Sequence, residues 1–265
     1  MAESTTSVGS SEPFLSVRDV HLRFGGVTAL DGPSFDLRRG EICGLMGPNG
    51  AGKTTLFNCI SRLYQPDSGS ITLSGVDLLG LRTEQIASVG IARTFQNLGL
   101  FGSMTVLENV LAGGYHRTRS GFAASALGLP PVRKEERREI ATARELLDDL
   151  GLTQVAGKLA AGLPYGTLKR VELARALMAA PELLMLDEPA NGLIHEEVLE
   201  LAGTIRRLCD ERGLSVLLVE HHMAMVMSVS DQVVVLNLGR KIADGKPDVV
   251  RADSAVIEAY LGGVA

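Results

Sequence analysis

Residues 47–55 read GPNGAGKTT, and this stretch decides the fold because of what stands on either side of it. The apolar run EICGLMG leads into it with the character of a buried strand, and a helical pattern follows from about Gly52 to Leu63. The stretch matches the pattern G-x-x-x-x-G-K-[ST] in full, between a strand and a helix as that pattern requires. We therefore predict a phosphate-binding loop at the edge of an α/β sheet.

Each residue type in this loop has a chemical reason. Glycine has no Cβ, so the glycines at positions 47, 50 and 52 let backbone N–H groups turn inward around a phosphate. Lys53 adds a positive charge for the β- and γ-phosphates, and the hydroxyl of Thr54 is placed to ligate Mg²⁺. We predict that the chain binds a nucleoside triphosphate. The predicted ligands are Gly47, Pro48, Asn49, Gly50, Ala51, Gly52, Lys53, Thr54 and Thr55.

A second stretch, ELLMLDEPA at residues 182–190, supplies two carboxylates. Its apolar residues describe a buried strand that ends at Asp187, and the carboxyl ends of such strands are where ligands bind in open α/β sheets. We expect Asp187 to hold Mg²⁺, directly or through a water. Glu188, on the other side of the strand end, is expected to polarise a water for in-line attack on the γ-phosphate.

Composition limits the other classes of function. The 265 residues are 45% apolar and 22% charged, which is typical of a globular chain, and the net charge of −5 disfavours a nucleic-acid partner. The three cysteines are isolated and predict neither a disulfide framework nor a zinc site. No apolar run has the roughly 20 residues that a membrane span needs. Residues 1–12 lack the pattern of a secretory signal and are predicted to be a disordered tail.

The rest of the chain alternates short apolar runs with longer periodic segments, which is typical of an α/β fold. Residues 14–24 and 33–40 are predicted strands of an antiparallel region. Residues 97–180 are predicted to be a helical insertion, with a mobile Gly-, Ser- and Pro-rich loop at 116–132 and a charged amphipathic helix after it. Thr105 and Glu108 have capping-box spacing at the start of another helix.

The ordered motifs GPNGAGKTT, TFQN, LPYG with RVELARAL, LMLDEPANGL and VEHHM together resemble the ATP-binding subunit of an ABC transporter. The resemblance extends from about residue 14 to 262 and implies a P-loop NTPase of the ABC ATPase type, with a mixed core sheet, an antiparallel β region and a helical subdomain. It implies one such domain over residues 13–265. IARTFQN, EHHM and the ending IEAYLG resemble the importers of branched-chain and other hydrophobic amino acids.

The resemblance also assigns roles to single residues. Gln96 matches the glutamine that contacts Mg²⁺ and the attacking water. Phe24 matches the aromatic that stacks on adenine, a role that we favour although the residues alone would indicate a core position. His221 matches the histidine that contacts the γ-phosphate. His222 is its competitor, and the family pattern favours the first of the pair.

The stretch LPYGTLKRVELARAL at residues 163–177 matches the family's signature, a turn and helix N-terminus that grips the γ-phosphate of ATP on the opposite subunit. Tyr165 and Gly166 are the expected ligands there, on a helix from about Thr167 with one packed face and one polar face. Two departures stand out, because Pro164 replaces the usual serine and Ile194 replaces a usual polar residue. Both point to a slower site or to a non-identical partner subunit.

The expected function is therefore ATP hydrolysis that powers a membrane importer. The resemblance implies transmembrane permease subunits and a second ATP-binding subunit, identical or paralogous, as partners, at the inner face of the cell membrane. Residues 97–101 are candidates for permease docking, although they could equally pack inside the helical region. The alternatives are an ABC ATPase that serves another transport substrate and a slow nucleotide-gated regulatory subunit. A nucleic-acid ATPase of the family is disfavoured by the single phosphate loop.

Overall fold

A computed structural model of the protein describes residues 13–95, 98–115 and 130–261. One of its sheets is antiparallel and consists of β1 (Leu15–Phe24), β2 (Val27–Asp31), β3 (Phe35–Leu37), β5 (Ser68–Leu73) and β6 (Val76–Asp77). The strands pair in the order β2-β1-β5-β6, and β3 pairs with residues 15–17 at the start of β1. The predicted strand over 33–40 is thus confined to three residues, and β2 was not predicted.

A second sheet carries the site. Its six described strands are β4 (Ile42–Met46), β7 (Ile91–Arg93), β8 (Leu183–Asp187), β9 (Ser215–Val219), β10 (Gln232–Asn237) and β11 (Arg240–Gly245). They lie in the order β11-β10-β4-β9-β8-β7, and all neighbours are parallel except β10 and β11. Every residue of β4, β8 and β9 is buried, as expected for central strands of a parallel sheet that is covered on both faces.

The described α-helices are α1 (Lys53–Ile60), α2 (Val106–Gly113), α3 (Pro130–Asp149), α4 (Tyr165–Met178), α5 (His195–Arg212), α6 (Met223–Val229), α7 (Pro247–Arg251) and α8 (Ser254–Leu261). The capping box at the start of α2 is confirmed, because Glu108 N donates to Thr105 Oγ1 and Thr105 N donates to the Glu108 carboxylate. The loop prediction over 116–132 was wrong at its end, since α3 already begins at Pro130, and its remainder lies outside the described residues.

The core divides into two clusters, one on each face of the six-stranded sheet, because successive side chains of a strand point to opposite faces. In β4, Ile42 and Met46 pack into the cluster that also contains α4, α5 and the apolar residues of α2 and α3. Cys43 and Leu45 pack on the other face, with α1 and the antiparallel sheet. The described residues therefore form three layers, and the middle one is the six-stranded sheet whose strand β4 leads into residues 47–55.

The helices α2, α3 and α4 lie within residues 97–180, where a helical subdomain is predicted. They share one apolar cluster with the sheet, and the boundary at 97–180 stays a prediction. The predicted tail at residues 1–12 lies outside the described residues. Among the described residues, no helix combines the length and the apolar character that crossing a membrane requires.

Candidate functional site

Three neighbouring strands bring the predicted site residues to one edge of the sheet. Strands β4, β9 and β8 are adjacent and parallel, with Leu45 paired to Val219 and Val219 paired to Asp187. The residues that follow these three pairing positions are the phosphate-binding loop, the segment with His221, and Glu188. The phosphate-binding loop and Glu188, which are more than 130 positions apart in the sequence, therefore share one edge with the segment that contains His221, as expected for an open parallel sheet.

The glycines of the phosphate-binding loop are required by the backbone. Gly47, Gly50 and Gly52 have φ values of 148°, 78° and 98°, in a region that side chains with a Cβ rarely adopt. A Cβ on Gly47 would collide with the carbonyl oxygen of Leu236, and one on Gly52 would lie 2.6 Å from that of Ala29. The loop therefore lies tightly against β2 and the end of β10, and residues with a side chain would not fit at these two positions.

Lys53 begins α1 and folds its side chain back over this loop. Its Nζ donates to the carbonyl oxygens of Gly47 at 2.7 Å and of Pro48 at 2.9 Å. Burial lowers the pKa of Lys53, while the nearby Glu188 carboxylate opposes that shift. The ammonium is thereby held at the centre of the loop, where an anion would meet it.

An open cavity lies over the loop. It is lined by Val27, Thr28, Ala29, Asn49, Gly50, Ala51, Gly52, Lys53, Thr54, Thr55 and Glu188. Glycine backbone, an ammonium and three threonine hydroxyls form a donor set that fits a polyphosphate, and the hydroxyl and carboxylate oxygens in the cavity are ligands of the kind that Mg²⁺ prefers. The cavity unites the predicted loop residues with the predicted hydrolytic Glu188 in one space.

Glu188 is held in a strained backbone conformation. Its φ is +47°, which is uncommon for a residue with a side chain, and its N–H donates to Val219 O at 2.8 Å. Such strain costs of order 1–3 kcal/mol and persists only where the surroundings fix it. Here the neighbouring strand β9 fixes it, and the half-buried side chain lines the cavity.

Asp187, in contrast, is buried and forms an ion pair with an arginine that the sequence analysis did not identify. Arg93, the last residue of β7, donates from Nη2 to Asp187 Oδ2 at 2.8 Å. Its Nη1 donates to Asn58 Oδ1 and to Ser61 Oγ on and after α1, and the guanidinium lies over the rings of Phe57 and Phe95. Burial raises the pKa of Asp187 and Arg93 opposes the shift. The only signal in the sequence was an arginine at the end of a short apolar run.

A second residue that the sequence reasoning passed over is Glu220, which stands between β9 and the two histidines. It is fully buried, and it accepts hydrogen bonds from the backbone N–H groups of His221 and His222. The imidazole rings of His221 and His222 are exposed to solvent, and their centroids are 5.0 Å apart. The structure places both histidines at the same edge as the phosphate-binding loop, and the preference for His221 stays a prediction.

The aromatic and signature residues lie apart from the cavity lining. Phe24 is exposed at the end of β1, where it pairs with the cavity residue Val27 and meets the edge of Tyr64 at 5.3 Å. Tyr165 and Gly166 form the start of α4, and the Tyr165 ring fills the space that a Cβ on Gly192 would occupy. Tyr165 and Gly166 therefore do not line the cavity over this chain's own phosphate-binding loop.

The prediction of a polar outer face on α4 was wrong. The helix begins at Tyr165 instead of Thr167, and Lys169 and Glu172 on its expected polar side are buried. Glu172 accepts a hydrogen bond from Phe95 N, a residue 77 positions away, and burial raises the pKa of this carboxyl. A tertiary contact, invisible to helical periodicity, covers this side of the helix.

Some predicted residues are outside the described chain or carry no contact that tests them. Gln96 and Asn97 lie outside the described residues. In the candidate docking segment, Leu100 packs against the core and Phe101 is exposed, so its residues are divided between the two expectations. Ile194 is exposed at the start of α5, where its N–H donates to Glu197.

Comparison with known proteins agrees with this geometry. The family model described as ABC transporter matches residues 30–191, and the one described as branched-chain amino acid ATP-binding cassette transporter matches residues 240–265. The chain is 42% identical over 252 residues to the high-affinity branched-chain amino acid transport ATP-binding protein BraF of Pseudomonas aeruginosa, covering 95% of this chain and 99% of BraF. The corresponding protein LivG of Escherichia coli K12 matches with the same identity and coverage.

The fold has a counterpart among solved structures. The crystal structure of the ADP conformation of an ATP-binding cassette of an ABC transporter superposes with a TM-score of 0.82 at 30% identity. The match covers 95% of this chain and 100% of that chain. The two-sheet architecture and its helical layer are therefore those of an ATP-binding cassette.

Proposed function

Because the chain belongs to the ABC transporter family, as an ATP-binding cassette, we propose that it binds and hydrolyses ATP to power a membrane importer. The observation that supports this most directly is the cavity that joins the glycine loop and Lys53 to Glu188. A phosphate-binding loop alone would support binding. A carboxylate in the same cavity supports attack by water on the phosphate that the loop holds.

In this proposal the loop residues 47–55 hold the phosphates through backbone N–H groups, and Lys53 exchanges its carbonyl partners for phosphate oxygens. Phe24, exposed beside the cavity, is proposed to stack on the adenine. Mg²⁺, when bound, would neutralise charge on the β- and γ-phosphates. The residues proposed to hold it are Thr54, Asp187 and Gln96.

The proposed hydrolytic step uses Glu188 to accept a proton from the attacking water. The strained backbone of Glu188, fixed by Val219 O, keeps its carboxylate at the cavity wall. Gln96 is proposed to orient the same water, and His221 to contact the γ-phosphate from the end of β9. These groups come from separate elements, so small movements between the elements would switch hydrolysis on and off.

We propose that a second ATP-binding subunit, identical or paralogous, completes the site. Tyr165 is exposed and Gly166 is half-buried at the N-terminus of the 14-residue helix α4. Both residues lie outside this chain's cavity. A helix N-terminus attracts anions, and the γ-phosphate on a facing subunit is the anion proposed here. Pro164 supplies no hydroxyl to it, so the backbone and the helix dipole would carry the contact.

The substrate class rests on the relatives. BraF and LivG are named as transport proteins for branched-chain amino acids, and we propose branched-chain or other hydrophobic amino acids for this chain. Transmembrane permease subunits would then hold it at the inner face of the cell membrane. The second candidate, a slow nucleotide-gated regulatory subunit, is favoured only by Pro164 and by the exposed Ile194.

The test is the solution mass of Glu188→Gln by light scattering, with and without Mg·ATP. We expect a shift from monomer to dimer with ATP, because the nucleotide is bound but not consumed. Lys53→Ala is the matched control and should show neither nucleotide binding nor the shift. A Glu188→Gln protein that binds ATP and stays monomeric would refute the homodimer and direct the search to a paralogous subunit. Normal ATPase activity in Lys53→Ala would refute the site.

A further inference from the structure

The carboxylate of Glu220 joins two loops at the carboxyl edge of the sheet. Its Oε1 accepts from Ala190 N at 2.8 Å, in the segment that follows Glu188. Its Oε2 accepts from His221 N at 2.9 Å and from His222 N at 3.1 Å, in the segment that follows β9. One side chain thereby fixes the backbone of the two segments that follow the neighbouring strands β8 and β9.

Because Glu220 is buried, its carboxylate depends on these hydrogen bonds. The residue is 0% exposed, and a buried carboxylate is costly unless hydrogen bonds satisfy it. Three backbone N–H groups do so here, and hydrogen bonds to a charged acceptor are about twice as strong as neutral ones. The His221 imidazole lies close as well, with Nδ1 3.8 Å from Glu220 Oε2.

We propose that Glu220 is a positioning residue that sets His221 relative to the segment from Ala190 to Ile194. The inference rests on the proposed function, because it gives His221 its contact with the γ-phosphate. Ile194, at the end of that segment, is exposed. A movement of the segment from Ala190 to Ile194 would therefore reach the histidine backbone through one carboxylate.

The chemistry of the site requires a carboxylate. Both oxygens of Glu220 face N–H donors, so each of them must accept. Glutamine has the same shape but only one acceptor oxygen, and its amide NH₂ would face a donor on one side. Glu220→Gln therefore breaks the connection to one loop without leaving a cavity. Glu220→Asp keeps the charge but is one methylene shorter, so it also cannot reach both loops.

Kinetic coupling tests whether Glu220 acts through His221. We expect Glu220→Gln to lower kcat between about 10- and 100-fold, as a misplaced catalytic contact does. ATP affinity, measured in the Glu188→Gln background, should change less than about twofold. In a His221→Ala background Glu220→Gln should add less than about twofold, whereas in a His222→Ala background its full effect should remain. Equal, additive losses in the two backgrounds would overturn the proposal.

Amide hydrogen exchange tests the connection directly and without turnover. In Glu220→Gln, or in Glu220→Asp if the first variant does not fold, the N–H of Ala190 or those of His221 and His222 should exchange about tenfold faster or more. Wild-type exchange rates at all three amides would overturn the proposal, whatever the kinetics show. If the wild-type protein neither binds nor hydrolyses ATP, the proposed function fails instead.

Discussion

Replacing Arg93 with methionine tests whether burial makes the Arg93–Asp187 ion pair essential. The pair has an N–O distance of 2.8 Å and side-chain exposures of 10% and 6%. Methionine keeps the apolar length of the side chain over Phe57 but removes the three hydrogen bonds to Asp187, Asn58 and Ser61. The buried carboxylate would then have lost its cation.

The expected loss is large because a charge remains behind. Removing one partner of a buried ion pair costs about 3–5 kcal/mol, mainly because the other charge stays buried without compensation. For a chain of this size each kcal/mol lowers Tm by about 2–4 °C, so Arg93→Met should lower it by roughly 6–20 °C. The double variant with Asp187→Asn should regain much of that loss, since no unpaired charge remains.

The assay is urea and thermal unfolding of the nucleotide-free protein, with Arg39→Met as the matched control. Arg39 pairs with Glu182 at 2.7 Å and lies over the Phe14 ring, but its pair is exposed by 57% and 53%. An exposed pair contributes about 0–1 kcal/mol, so the control should move Tm by less than about 4 °C. Equal shifts in the two variants would refute the reasoning, because the pairs differ chiefly in burial.

Three further changes test single contacts. Pro164→Ser should leave Tm and ATPase rate equal or raised, because serine can cap α4 where proline makes no side-chain cap; a large loss of rate would show that the turn needs proline. Glu172→Gln should keep the hydrogen bond from Phe95 N. Burial raises the pKa of Glu172, so the native state resists ionisation of this carboxyl. Urea titrations at two pH values should therefore show the variant gaining stability over wild type as pH rises, with no gain near pH 4. Gly47→Ala should abolish binding of a fluorescent nucleotide because its Cβ meets Leu236 O, whereas Gly75→Ala, at φ +80° in open space, should not.

The parts of the site that depend on neighbouring residues in sequence could be predicted. The loop at 47–55 and the strand that ends at Asp187, with Glu188 directly after it, each occupy one short stretch of sequence. Strands, glycine turns and helix starts have local sequence patterns, so both could be recognised. The same holds for the capping box of α2. Burial of Lys169 and Glu172 could not be predicted in this way, because the chain that covers Glu172 belongs to a distant segment.

Arg93 and Glu220, which the sequence analysis missed, nevertheless have a local sequence pattern from which they could have been identified. Arg93 ends the short run IAR, Asp187 ends LLMLD, and Glu220 follows SVLLV. A charged residue that ends an apolar strand must meet a partner at the sheet edge, because burial leaves it few contacts with water. Parallel strands share that edge, and β7, β8 and β9 are consecutive neighbours, so a basic residue on one strand end is placed to pair with an acidic one on the next. Arg93 and Asp187, 94 positions apart in the sequence, do so here. Glu220 follows the next strand, β9, and takes backbone N–H groups as its partners instead.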